Sequence, residues 1–254
     1  METRFTVTNV LSASWRALLS QIWILAGLLI GYTILSSILS VVLAPLLVSS
    51  SLGGLFLNLL NLVISLMFSL GYLKNIFQTL DGDEPRFSAY GQQARKIGTY
   101  FVASLLYGIV ILAVAGVTVG PYFYTLHDLA MFKDTVFSPY LLPEVPEGTG
   151  WAAFLIMMGA VILLLPAMYL GLRLMFYQAC IVDDEGVGIL DSLKRSWEMT
   201  KGHMLPLFLL ALASLGIMIV GFMAFIVGIF VAIPLVYIMY CCAYRRLNPY
   251  PEAD

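Results

Sequence analysis

Gly202 to Tyr244 reads GHMLPLFLLALASLGIMIVGFMAFIVGIFVAIPLVYIMYCCAY and contains no Asp, Glu, Lys or Arg. As one helix at 1.5 Å per residue it would be roughly 65 Å long, about twice the ~30 Å hydrocarbon layer of a bilayer. The stretch therefore predicts two spanning helices, 204–222 and 225–246, folded back on each other near Gly221 to Gly228. Three further stretches carry no charge: Ala17 to Leu73, Ile97 to His127 and Gly148 to Leu172. The first is long enough for two spans and the others for one each, which gives helices at about 22–47, 55–77, 97–117 and 151–176. The expected fold class is all-α, a polytopic integral membrane protein with six transmembrane helices. Ser49 to Gly54 supplies a tight turn between the first two spans.

Composition leads to the same class. Of the 254 residues 61% are hydrophobic and 11% charged, where a soluble domain averages about 25% charged. The expected partner is the phospholipid bilayer, with a membrane-protein partner besides; a formal net charge of −2 gives no hint of nucleic acid. The apolar run after Arg16 is far longer than the ~7–15 residues of a signal-peptide core, so no cleaved leader is expected. Spans and short connections use up the chain, and residues 1–254 read as a single integral membrane domain. Cys180, Cys241 and Cys242 lie in or beside apolar segments, with no Cys or His cluster at metal-ligand spacing, and read as packing residues.

The charges between spans sort by side. Arg4, Arg16, Lys74, Arg86, Arg95, Lys96, Arg173, Lys194, Arg195, Lys201, Arg245 and Arg246 all fall on the side of the termini. Lys133 falls on the other side, in the connection over 120–150, among Asp128, Asp134, Glu144 and Glu147. The positive-inside rule then predicts cytoplasmic N- and C-termini and an external loop at about 120–150. That loop is rich in aromatic residues, among them Phe132, Phe137 and Tyr140, and reads as lying on the outer interface or docking a partner. Arg173, at the end of the fourth span, is expected to reach the interface with its guanidinium.

Two segments on the side of the termini are amphipathic and are expected as interfacial helices, at about 7–19 and 188–201. Val7, Val10, Leu11, Ser14, Trp15 and Leu18 recur at helical spacing in the first, and Ile189, Leu193 and Trp197 in the second. Each precedes a hairpin of spans, and Ser14-Trp15 echoes Ser196-Trp197. The pairing suggests a duplicated unit in one orientation, although identity beyond the two residues is thin.

The run Asp191-Ser192-Leu193-Lys194-Arg195-Ser196-Trp197-Glu198-Met199-Thr200-Lys201-Gly202-His203 is a short basic helix with a Ser, then Lys-Gly. A long apolar segment follows, with Pro234 and the tyrosines Tyr237, Tyr240 and Tyr244. Together with the segment from Gly71 through Leu80, Asp81, Gly82, Pro85 and Phe87 to Gly98, this resembles the membrane domain found beside glycerophosphoryl diester phosphodiesterases and its stand-alone six-helix bacterial relatives. The resemblance covers most of the chain and marks Ser196, Lys201, Gly202 and Tyr240 as family-motif residues. It implies a fold and a bacterial inner membrane, not a mechanism, because the phosphodiesterase chemistry of that family lives in a soluble domain that this sequence does not contain.

An enzyme in a membrane needs titratable groups converging on a water-accessible cavity. Apart from Lys74, Arg173, Arg245 and Arg246 at helix ends, the expected spans contain no acid, base or His, so no catalytic, cofactor or metal residues are assigned. Asp183-Asp184-Glu185 reads as a solvated turn, since a hard cation wants six or more converging oxygens. His203 reads as an interfacial helix-start residue. Pro166 and Pro234 inside their helices each remove a hydrogen bond, and together with Asn58 and Asn61 they either line a pathway or serve packing. Packing is favoured, because Gly27 and Gly31 form a small-xxx-small pair suited to close helix contact. The resulting expectation is a non-enzymatic inner-membrane accessory or scaffold protein in envelope or lipid homeostasis, with a lipid or small-molecule transporter as the alternative.

Overall fold

A computed structural model describes residues 6–49, 51–127, 149–184 and 186–248. The helices are α1 (Val7–Ser49), α2 (Ser51–Leu80), α3 (Ser88–Gln93), a 3-10 turn (Ala94–Lys96), α4 (Ile97–His127) and α5 (Thr149–Leu174). They are followed by α6 (Tyr177–Asp183), α7 (Ile189–Met199), α8 (Met204–Met223) and α9 (Phe225–Leu247). Six helices among the described residues are long and apolar enough to cross a membrane.

Boundaries follow the sequence where the pattern changes sharply. Gln21, at φ −134° and ψ 19°, breaks α1 where its amphipathic part gives way to the uncharged run. The last hairpin matches its expected limits to within a residue. Three differences have physical reasons. The fourth span ends at Leu174, and the chain restarts as α6 after one turn, because side chains from distant helices satisfy the freed backbone groups. A short helix, α3, forms after the Asp81-to-Pro85 turn and returns along α2. α4 carries Pro121 inside it and continues to His127, ten residues past the expected end, since one proline removes one donor and leaves the rest of the ladder intact. The loop segment with Phe132, Lys133, Phe137 and Tyr140 lies outside the described residues.

The chain, expected as one domain, groups into two compact units, one from the N-terminus to Ser104 plus Leu174 onward, the other Leu105 to Arg173. In the first, α1 packs on α2 and α9, α9 on α8 and α2, and α6 on α2 and α7. Its core interlocks rings from α2 and α9. Tyr72 meets Tyr237 edge-on at 5.6 Å, and Phe77 meets Tyr244 at 5.7 Å. Phe176, buried in the break between α5 and α6, lies 5.2 Å from Tyr240. Such offset and edge-on contacts add to packing beyond area alone. Cys180, Cys241 and Cys242 are free and buried in the same core.

In the second unit, the ring of Tyr122 lies against Gly159, with its hydroxyl 2.5 Å from where a Cβ would stand, so a larger residue there would have to displace the ring. Arg173 differs from its expected interfacial reach. It is buried, with its guanidinium 6.0 Å from the centre of the Tyr169 ring, a cation over an aromatic face.

α8 and α9 meet through glycine. A Cβ on Gly228 would collide with the carbonyl oxygen of Gly221, and one on Gly221 would stand 2.6 Å from Ala232 Cβ. This is the small-residue approach that lets helix backbones touch. Gly27 and Gly31 correct the other expectation. Neither would bring a Cβ within 4 Å of another atom, so among the described residues no helix packs on them, because α2 and α9 cover other faces of α1.

Candidate functional site

Two features stand out in the first unit: a network of polar groups at one end, and an apolar groove beside it.

The network joins segments that the charge pattern had placed on one side of the membrane. Lys96 Nζ donates to the carbonyl oxygens of Ile181, Val182 and Asp184 at 2.8, 3.3 and 3.2 Å. A cation at the C-terminal end of α6 is favoured by the helix dipole and satisfies carbonyls that have no helical partner. Arg195 of α7 pairs with Asp184 at 3.0 Å. Arg245 of α9 lies 3.0 Å from Asp81 and 3.7 Å from Asp183, and Tyr244 donates to Asp183 at 2.9 Å. Arg246 reaches the carbonyl of Asn9 at 3.2 Å. The Asp183-Asp184 turn is therefore not merely solvated: its carboxylates hold α7 and α9. The backbone N–H of Gly186 and the charges of Arg195 and Lys96 keep the Asp184 carboxyl below its ordinary value of 3.8, against a weaker opposing effect of burial.

The motif residues sit in the same region. Ser196 Oγ accepts the backbone N–H of Phe176 at 3.0 Å. Tyr240 donates to the carbonyl of Met175 at 2.8 Å and accepts from the N–H of Ala179 at 3.4 Å. These bonds cap both sides of the break between α5 and α6, which would otherwise leave buried backbone groups unsatisfied. Lys201 and Gly202 form the turn from α7 into α8, and Gly202 adopts φ +83°, the left-handed conformation that glycine takes at helix ends without steric cost. His203 accompanies that turn, its Nδ1 3.2 Å from the carbonyl of Lys201.

The residues of the pathway reading stand in different local settings. Asn58 is exposed and bonds back to the carbonyl of Gly54 at 2.9 Å; Asn61 does the same to Leu57 at 3.3 Å. Pro234 is buried in α9, whereas Pro166 is exposed in α5 of the second unit. Among the described residues no group of three or more His, Cys, Asp or Glu is placed so as to hold a metal ion.

The groove has a volume of about 580 Å³. Gly27 and Gly31, four residues apart and so on one face of α1, form its floor. Ile64, Met67 and Phe68 of α2 form one wall. Tyr32 stacks on Phe68 at 4.0 Å and 12°, and Phe68 continues to Tyr90 at 5.9 Å and Tyr90 to Phe87 at 6.4 Å. This aromatic ladder depends on Gly71, since a Cβ there would overlap the Tyr90 ring. Trp23 and Phe87 stand at the rim, 89% and 81% exposed. Sequence reasoning found Gly27 and Gly31 but not the groove. The signal was present in the glycine spacing, and only the position of α3 gives it walls.

The class defined by these features is an all-helical protein with six helices long and apolar enough to cross a membrane, locked at one end by polar side chains. The chain belongs to the DUF7847 family, a domain of unknown function, whose model matches residues 5–251. No curated protein and no solved structure matches it.

Proposed function

We propose that this chain is a multi-pass protein of a bacterial inner membrane, with cytoplasmic termini, that acts without catalysis as an accessory or scaffold in envelope or lipid homeostasis. The observation that carries this reading is how the polar side chains are used. Lys96, Asp183, Asp184, Arg195, Ser196, Tyr240 and Arg245 are engaged in holding segments of the fold together, whereas the large concavity beside them is lined by apolar and aromatic groups. Chemistry in a membrane would require the reverse.

Membrane insertion draws support from the long lipid-compatible faces of the helices. Val41, Val42, Leu112, Val117, Phe222 and Met223 are each well over half exposed, far more apolar surface than a protein in water leaves open. Cytoplasmic termini draw support from the positive-inside pattern. The motif residues further support kinship with the membrane domain found beside glycerophosphoryl diester phosphodiesterases. The alternative, a lipid or small-molecule transporter, draws on the groove.

The test is mass spectrometry of the proteins and lipids that leave the native membrane with the full chain in mild detergent. A stoichiometric protein partner is the expected result. A selectively enriched metabolite or lipid with no protein partner, together with flux in reconstituted vesicles, would favour the transporter.

A further inference from the structure

Read along α1, the groove runs from Trp23 to Leu35, twelve steps along the helix or roughly 18 Å at 1.5 Å per residue. Half of a ~30 Å hydrocarbon layer is about 15 Å, so the groove has the depth of one leaflet. Its rim carries Trp23 and Phe87, and tryptophan settles at the headgroup level. Its interior is lined by glycine, aliphatic and aromatic groups. The volume of about 580 Å³ falls within the ~300–1,000 Å³ of sites for small ligands. A second helix, ~10 Å across, fills roughly 400 Å³ per turn and would be seated for little more than one turn.

Charge on the turn next to the rim residue Phe87 bears on the rest of the ligand. The turn that leads into Phe87 presents Asp83, Glu84 and Arg86, all exposed and none in an ion pair among the described residues. The turn is anchored, since Asn75 Oδ1 accepts the N–H of Arg86 at 3.1 Å and the carbonyl of Gln78 accepts that of Asp83 at 2.8 Å. A guanidinium carried on an anchored backbone suits a phosphate, and the neighbouring carboxylates suit an ammonium and oppose a purely anionic headgroup.

We infer that the groove holds one acyl chain of a zwitterionic aminophospholipid from the leaflet on the side of the termini, with the lipid phosphate at Arg86 and its ammonium toward Asp83 and Glu84. This rests on the membrane reading above but not on the accessory role. It gives Gly27 and Gly31 a use that helix packing does not: they leave room for a hydrocarbon chain.

The experiment is native mass spectrometry of the full chain released from nanodiscs containing equal phosphatidylethanolamine and phosphatidylglycerol, with wild type, Gly27→Leu/Gly31→Leu and Arg86→Gln compared. Wild type is expected to retain one phosphatidylethanolamine. The double variant, whose new side chains enter open space, should lose it by about tenfold or more at an unchanged melting temperature. Arg86→Gln should weaken retention and erase the headgroup preference. Equal retention by wild type and the double variant would overturn the inference, as would a wild-type dimer without lipid that the double variant dissolves. Equal retention of the two lipids would overturn the headgroup assignment.

Should the double variant fail to fold, a phosphatidylethanolamine with a photoreactive acyl chain keeps the question open to refutation in the wild type. Crosslinks are expected on 23–35 and 64–68, and an even spread over all spans would count against the site. Carbonate extraction separates the two levels: a chain that leaves the membrane fraction fails the membrane reading itself, whereas an integral chain without lipid fails the groove alone.

Discussion

Two glycine pairs in apolar sequence, Gly27 and Gly31 four residues apart on one helix and Gly221 and Gly228 seven apart on two, have opposite surroundings. Gly27 and Gly31 of α1 face open space, while Gly221 and Gly228 stand where α8 and α9 touch and have no room for even a methyl group. Both lie in uncharged apolar stretches of their helices. The difference teaches that small-residue spacing marks a place where something comes close, without saying whether it is the chain itself. On the membrane reading proposed above, apolar burial gives helices little reason to associate, so the distinction rests on which helix faces the rest of the chain brings together.

The comparison can be broken or sharpened by substitution, with the melting temperature of the purified protein in detergent as readout. The largest effect is expected for Gly228→Leu, whose side chain would push against the backbone of Gly221. Overpacking of this kind costs about 3 kcal/mol or more when backbone must move, and a stable Gly228→Leu protein would refute the close contact. Ser196→Ala comes next, because it leaves the buried N–H of Phe176 without its acceptor, at about 1–3 kcal/mol. Gly71→Ala is expected to displace Tyr90 at a cost of about 1–2 kcal/mol, and it should disturb lipid retention where Ser196→Ala does not.

Gly27→Ala/Gly31→Ala should raise stability, by about 1–2 kcal/mol for the two together, since alanine restricts the unfolded chain and meets nothing in the folded one. A loss as large as that of Gly228→Leu would erase the contrast between the pairs. The smallest effect belongs to the charged end. Asp184 is held below its ordinary value of 3.8 first by the Gly186 N–H and then by Arg195. A depressed carboxyl contributes stability that is complete above the unfolded value and is lost as pH falls through the folded one. The difference in melting temperature between wild type and Asp184→Asn should therefore shrink as pH drops below 3.8. For so exposed a pair it should amount to less than about 1 kcal/mol, and a gap that widens on acidification would contradict the assignment.

A second pair makes the same point more quietly. Ser14 and Ser196 both precede a tryptophan and both are buried, while Trp15 and Trp197 stay 47% and 38% exposed. Helical periodicity made the two segments legible as amphipathic, yet it did not say which face turns inward. In α7 the buried side is Ser192, Ser196 and Met199, not the stripe of Ile189, Leu193 and Trp197. Ser14 returns its hydroxyl to Val10 in its own helix, whereas Ser196 serves a backbone group twenty residues away.

What the sequence by itself determined were features that add up along the chain: the six long apolar helices, the segments gathered at one charged end, the turn at Gly202 and the hairpin between α8 and α9. These depend on hydropathy, charge and local backbone preference, which a window of residues carries within itself. What only the tertiary structure decided were the break after Leu174, the pairing of Asp183 and Asp184, and the emptiness beside Gly27 and Gly31. Each of these turns on a partner supplied from elsewhere in the chain, such as Tyr240 for Met175 across 65 residues, or on a neighbour's absence. A linear pattern can state that a glycine leaves room; only the packing of α1, α2 and α3 leaves that room unfilled.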